Sequence, residues 1–205
     1  TREHPSHSLI EASLTNLGLS YFNHAQQSPA DERPALYAQA IEAFDQQRKG
    51  FAEGKFAAQV GFYRAESLYH LGKLREAATA YQEWLAEHSS DPLARDVQLA
   101  LGATQTELGE AKEAIATLTK LLQSSEQGAT DPEIALRLGT ALVEDGQYAK
   151  GAEQLAVAAA ASGFADADYA LEQQAAALFQ AGEYRQAAEL YAALPQRFPQ
   201  SGLAT

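Results

Sequence analysis

Apolar residues recur along this chain at helical spacing, and the helices they define come in pairs. In the stretch 98–122, Leu99, Leu101 and Leu108 precede Gly109, and Ile115, Leu118, Leu121 and Leu122 follow it at i, i+3, i+6 and i+7. Each half is predicted to be an amphipathic helix. Gly109 suits the left-handed residue that closes the first helix, and Glu110-Ala111-Lys112-Glu113 restarts a helix at once, so the halves fold back as an antiparallel pair.

The pair is repeated. Ala114 has small counterparts at Ala40, Ala77, Gly151 and Ala187, and the large residue four places on is Phe44, Tyr81, Leu118, Leu155 or Tyr191. The turn glycine returns as Gly72, Gly109, Gly146 and Gly182, and the small residue of each first helix as Gly18, Ala65, Gly102, Gly139 and Ala175. The period is 37 or 36 except between positions 18 and 65, which lie ten further apart. The loop-like run Gln26-Gln27-Ser28-Pro29-Ala30-Asp31-Glu32-Arg33-Pro34 is assigned as that insertion. Two helices crossing at close range accept no more than a methyl at the crossing, with a large apolar residue one turn on to fill the groove. No single pair can bury its own apolar face, so a strict period of this size predicts an all-α solenoid of about five helix pairs.

The predicted helices are 8–25 and 34–49, 55–71 and 74–87, two within 92–124, two within 132–161 divided at Gly146, and 168–181 and 183–197. As repeats these are about 8–50, 55–88, 91–125, 131–162 and 167–198, treated as one domain over 1–205. Asp91-Pro92 and Asp131-Pro132 read as caps with proline in the first turn. Trp84 is expected to fill the core or a contact between repeats, a ligand platform being the other reading. The alanine-rich 156–161 contributes little burial, so the fourth repeat is expected to be the most weakly packed.

Leu-Gly, a glycine seven residues on, Ala-Ile or Ala-Ala after five more, and then Tyr or Phe is similar to the tetratricopeptide repeat, over nearly the whole chain. The period of 37 exceeds the family's unit of about 34, so each repeat carries a slightly longer helix or connection. The resemblance implies a right-handed α-solenoid and a protein-interaction scaffold. His4-Pro5-Ser6-His7-Ser8-Leu9 and Phe198-Pro199-Gln200-Ser201-Gly202-Leu203-Ala204 resemble the proline-containing joint of bacterial envelope members, such as the Tol-Pal-associated coordinator and the outer-membrane assembly lipoprotein. An ordinary helix stop and N-cap is the other reading of those segments. The resemblance favours a periplasmic or envelope-associated setting, with the cytoplasm as the alternative.

Charge and chemistry narrow the function. The 27 acidic residues against 15 basic ones give a net charge of −12, which argues against a nucleic-acid partner and favours basic or neutral ones; solubility alone is the alternative reason for that charge. The absence of cysteine removes disulfides and thiolate metal sites. No apolar run is long enough to span a membrane. Beginning at Thr1, the chain reads as a processed or excised piece of a longer one. His4, His7, His24, His70 and His88 show no metal-binding spacing, Gly72-Lys73 lacks the upstream glycine of a phosphate loop, and no serine occupies a Gly-x-Ser-x-Gly elbow. Glu76 and Glu83 read as solvated helix residues. The chain is therefore expected to be no enzyme and to need no cofactor or metal.

In the family's architecture the first helix of each pair lines the concave side. Counting from its small residue gives a partner-binding groove of Phe22, Phe62, Glu66, Tyr69, Asp96, Leu99, Glu107, Glu133, Leu136, Glu144, Tyr169, Glu172 and Phe179. These positions hold no lysine or arginine, which disfavours a clamp for a C-terminal carboxylate. An apolar floor with an acidic border suits a peptide or protein segment bearing basic residues around apolar anchors. The alternative is a docking or regulatory arm of a larger enzyme, or of a secretion or envelope assembly. The last helix presents Leu190, Tyr191 and Leu194 with nothing following, so either more chain covers it or it associates end to end with another molecule.

Overall fold

A computed structural model of the protein describes residues 5–124 and 130–202, and among them every regular element is an α-helix. The order is α1 (Pro5–Gln27), α2 (Arg33–Gly50), α3 (Ala57–His70), α4 (Leu74–Glu87), α5 (Ala94–Glu107), α6 (Ala111–Ser124), α7 (Pro132–Glu144), α8 (Tyr148–Ala160), α9 (Ala167–Gln180) and α10 (Tyr184–Arg197). The fold is all-α, of the helix-pair repeat class. His4, Leu203 and Ala204 of the expected joints lie outside the described residues. The chain forms two compact units, Thr1–Thr104 and Gln105–Thr205.

The pairs turn where the glycines place them. Gly72, Gly109, Gly146 and Gly182 have φ of 73°, 75°, 76° and 85°, the left-handed region that glycine enters without steric cost. The residue after each donates its amide to a carbonyl five back, as Lys73 to Leu68 at 3.0 Å and Gln147 to Leu142 at 2.8 Å, which satisfies the last carbonyls of the closing helix. Asp131 caps α7 as its Asp-Pro signature implies, with Oδ1 accepting from the amides of Glu133 and Ile134 at 3.2 and 3.3 Å.

Two expectations for the amino-terminal part are corrected. Pro5, Ser6 and His7 belong to α1, where a joint was anticipated, because proline in a first turn loses no intrahelical hydrogen bond. The extra residues of the first repeat are not a loop over 26–34. Relative to α3 and α4, α1 runs four residues further past Gly18, to Gln27, α2 starts four residues earlier before Ala40, at Arg33, and the turn 28–32 is two residues longer than 71–73. Pro34 is accommodated in the first turn of α2, and the Arg33 side chain closes the turn by donating to the Ser28 carbonyl at 2.9 Å.

The repeated small residues lie where paired helices touch. Ala40, Ala65, Ala77, Ala114, Ala175 and Ala187 are all buried, and the large residues beside them, Phe44, Tyr81, Leu118 and Leu155, are fully enclosed. Polar ties add to this packing. The buried Glu11 of α1 accepts through Oε1 from the Phe56 amide at the start of α3 (3.1 Å) and from Gln47 of α2 (3.4 Å). In the second unit Arg197 donates to the Ala159 carbonyl at 2.9 Å, capping the end of α8.

The fourth repeat is not loosely packed. Ala152, Leu155, Ala158 and Ala159 of α8 join Ala135 and Leu136 of α7 and Ala170 and Leu171 of α9 in one core cluster. Small side chains allow this by letting the backbones meet: a Cβ on Gly151 would lie 3.0 Å from the Gly139 carbonyl oxygen and 2.6 Å from Val143 Cγ2. Gly151→Ala is therefore expected to destabilise the second unit by about 1–3 kcal/mol through overpacking, despite the helix propensity gained. Gly50→Ala, with nothing within 4 Å of the added methyl, is expected to be neutral or slightly stabilising. Urea unfolding of both variants checks the contrast.

Candidate functional site

The first unit gathers aromatic and titratable groups from α1, α2 and α3. Phe22 of α1 meets Tyr37 of α2 and Tyr63 of α3 edge-on, with centroids 5.7 and 5.1 Å apart. The His70 ring stacks on Tyr37 at 4.8 Å and meets Tyr69 at 5.5 Å, while Phe62 packs on Tyr63 at 5.1 Å. Burial, reinforced by the nearby Arg33 guanidinium, holds the His70 imidazole below its ordinary range. Tyr37 is pushed up by burial, with Arg33 opposing and Glu66 adding to the rise.

Glu66 is the electrostatic centre of that face. The hydroxyl of Tyr81, enclosed between α3 and α4, donates to Glu66 Oε1 at 2.5 Å. Burial raises the Glu66 carboxyl above its ordinary range, the Tyr81 hydrogen bond opposes the rise, and the Asp96 carboxylate adds to it. Tyr81 in turn is held far above the phenol range by burial and by Glu66. Arg64 on α3 is engaged with Asp45 at 2.5 Å.

The anticipated groove residues divide into core and surface. Phe22, Leu99 and Leu136 are buried, supporting the face from beneath and offering no surface of their own. Phe62, Glu66 and Tyr69 are half-buried, and Asp96 is exposed. In the second unit Glu107, Glu133 and Glu144 are exposed and Glu172 is half-buried. Tyr169 and Phe179 are exposed at 42% and 53%, so they, and not Leu136, supply its accessible apolar surface. Phe179 meets Tyr184 edge-on at 5.2 Å. The Asp168 carboxyl is held low by hydrogen bonds from Ser201 and the Tyr169 amide.

Counting along first helices missed Tyr37 and Arg33, which come from a second helix. The period does carry a signal for Tyr37, whose register position is Leu74, Ala111, Tyr148 and Tyr184 in the later repeats, but it lies on the second helices that the count left out. A separate cleft of about 360 Å³ involves Gly61, Trp84, Arg48, Glu53, Glu83 and Glu87. Its three carboxylates against one guanidinium leave it acidic. Trp84 itself is buried, donating from Nε1 to the Ala58 carbonyl at 2.6 Å.

Antiparallel helix pairs closed by left-handed glycines, with small residues at each crossing, define a helical-repeat protein. Tetratricopeptide repeat models match residues 33–92, 62–132 and 169–201, and the chain belongs to the tetratricopeptide repeat family. Among solved structures it is similar to MamA from Desulfovibrio magneticus RS-1 (18% identity, 90% of this chain and 97% of that one, TM-score 0.69). It is also similar to a tetratricopeptide repeat protein from Parabacteroides merdae (14% identity, 94% of this chain and 68% of that one, TM-score 0.75). At these identities the likeness is one of fold. No curated protein matches the sequence.

The raised Glu66 carboxyl has a definite pH signature. A carboxyl whose folded pKa exceeds its unfolded value contributes most to stability below the unfolded value, near 4.5, and loses that contribution as pH rises through the folded one. Glu66→Gln keeps an acceptor for Tyr81 without the buried charge. Its stability relative to the wild type is expected to improve as pH rises from about 4.5 to about 7, as read by denaturant unfolding; a flat difference would show that Glu66 is solvated.

Proposed function

We propose that this chain is a non-enzymatic interaction scaffold whose first-helix faces bind a protein or peptide segment carrying basic residues around apolar anchors. The observation that carries this reading is that the first helices of the pairs carry both exposed carboxylates and accessible aromatic rings. Asp96 with Tyr69 and Phe62 provides the combination in the first unit, and Glu107, Glu133 and Glu144 with Tyr169 and Phe179 in the second. Helix faces held by a rigid core are preformed, so little ordering of the scaffold opposes binding. Carboxylates at the border favour encounter with a cationic segment, and the aromatic rings supply contact area. Family membership supports the protein-binding part of this proposal. Its narrower form, a place in a bacterial envelope complex, rests on the sequence resemblance of the segment 198–204 alone.

The test uses a synthetic peptide of alternating lysine and leucine-type positions and its glutamate-for-lysine twin, titrated calorimetrically. The wild type is expected to bind the first in preference to the second, less tightly as salt increases. The double substitution Glu107→Lys with Glu144→Lys is expected to weaken that binding about ten-fold or more at low salt, with circular dichroism and urea midpoint unchanged. Binding of the basic peptide that is indifferent to both salt and the double substitution overturns the reading.

A further inference from the structure

Phe62, Glu66 and Tyr69 stand at i, i+4 and i+7 on α3, one stripe of one helix, and all three are half-buried. Glu66 therefore has an aromatic ring one turn away on either side. Beneath it the enclosed Tyr81 of α4 donates its hydroxyl to Oε1 at 2.5 Å. Among the described residues Tyr81 is the one donor to this carboxylate, and no lysine, arginine or histidine pairs with it. Basic groups of α2 and α3 are engaged elsewhere. Arg33 donates to the Ser28 carbonyl and acts on Tyr37 and His70, and Arg64 is held by Asp45.

The repeat does not call for a carboxylate at this place. The same register position, next to the small residue of each first helix, holds Leu19, Ala103, Thr140 and Ala176 in the other repeats. A carboxylate withdrawn from water needs a cation or several donors to stay ionised, and Glu66 has one neutral hydroxyl. The titratable groups around it do not supply the difference. Asp96 of α5 is a second carboxylate that adds to the rise burial causes, Tyr37 of α2 and Tyr81 of α4 are phenols that burial pushes up with Glu66 adding, and Tyr69 acts on Tyr81. The charge acting on Glu66 is thus negative, and a cation is the group that would relieve it.

We propose that Glu66 is the seat for a cationic side chain of the bound segment, received by its second oxygen, Oε2, between the Phe62 and Tyr69 rings with Asp96 alongside. Aromatic faces on either side of the carboxylate add cation–π attraction to the ion pair. This inference rests on the reading that first-helix faces take a basic segment, and it fixes which carboxylate of the first unit takes the charge. Cation and proton compete for the same group. A bound cation therefore lowers the Glu66 pKa, and by reciprocity affinity rises as pH rises through it. A Glu66–Tyr81 pair with a packing role alone carries no such link.

Nuclear magnetic resonance of the whole chain with glutamate labelled at Cδ tests the seat, the Glu66 signal being assigned by its loss in Glu66→Gln. Titration with Nα-acetyl-lysine amide to about 20 mM is expected to shift that signal saturably and to lower its pH midpoint, while the norleucine counterpart does neither. In calorimetry with the basic peptide used above, Glu66→Gln is expected to weaken binding about five-fold or more. Glu113→Gln, which removes the same charge from an exposed position on α6, is expected to stay within about two-fold of the wild type. Circular dichroism confirms that both variants keep their helices. The proposal is overturned by a Glu66 signal indifferent to the lysine amide or moved equally by the norleucine one, and by a basic peptide that binds Glu66→Gln as tightly as Glu113→Gln. Peptide binding that depends on Glu107 and Glu144 but not on Glu66 leaves the groove reading standing without this seat. A chain that takes the lysine amide at Glu66 yet does not prefer the basic peptide to its glutamate twin keeps the seat and overturns the groove.

Discussion

The distance at which two paired helices can cross governs this structure. Where the crossing residue is glycine or alanine, the backbones come close enough for a large residue one turn on to be enclosed, as Phe44 is over Gly18 and Leu155 over Gly139. That contact is specific because it is steric: a methyl added at Gly18 would enter the Phe44 ring. The helices are short and no single pair buries its own apolar face, so most of their stability comes from these crossings and not from propensity. Repeats built on one crossing rule can then vary every other position, which frees the exposed faces for recognition.

Unit 1 shows how that freedom is used. Beneath Glu66 lies the enclosed Tyr81, whose hydroxyl compensates a carboxylate that burial would otherwise disfavour. Around it, Tyr37, Phe22, Tyr63 and His70 lock α1, α2 and α3 through edge-on and stacked contacts. The same aromatic network that supports the face also packs the helix pairs together, so recognition and stability share side chains there.

How much of this was legible in the sequence depends on whether a feature repeats. The small residues, turn glycines and enclosed large residues recur at a fixed interval and mark out the helix pairs, with the helix 74–87 placed to the residue. Features occurring once were harder. The ten extra residues looked like a loop because proline clusters there, yet Pro34 fits a first turn and the length went into α1 and α2. The alanine run looked poorly packed because alanine buries little area, but area says nothing about how near two backbones can come. The groove rows mixed core with surface because the face of a helix can be counted from sequence, while the depth at which Phe22, Leu99 and Leu136 sit is set by neighbours that counting does not see.

Glu11 gives the amino-terminal end a property that apolar packing alone would not. One carboxylate oxygen ties α1 to the last turn of α2 and to the opening amide of α3. Peeling α1 away would strip a partner from both at once and leave the α3 terminus and Gln47 unsatisfied. Fraying at this end is thereby converted from a gradual, helix-by-helix loss into a concerted one, and α1 stays in register.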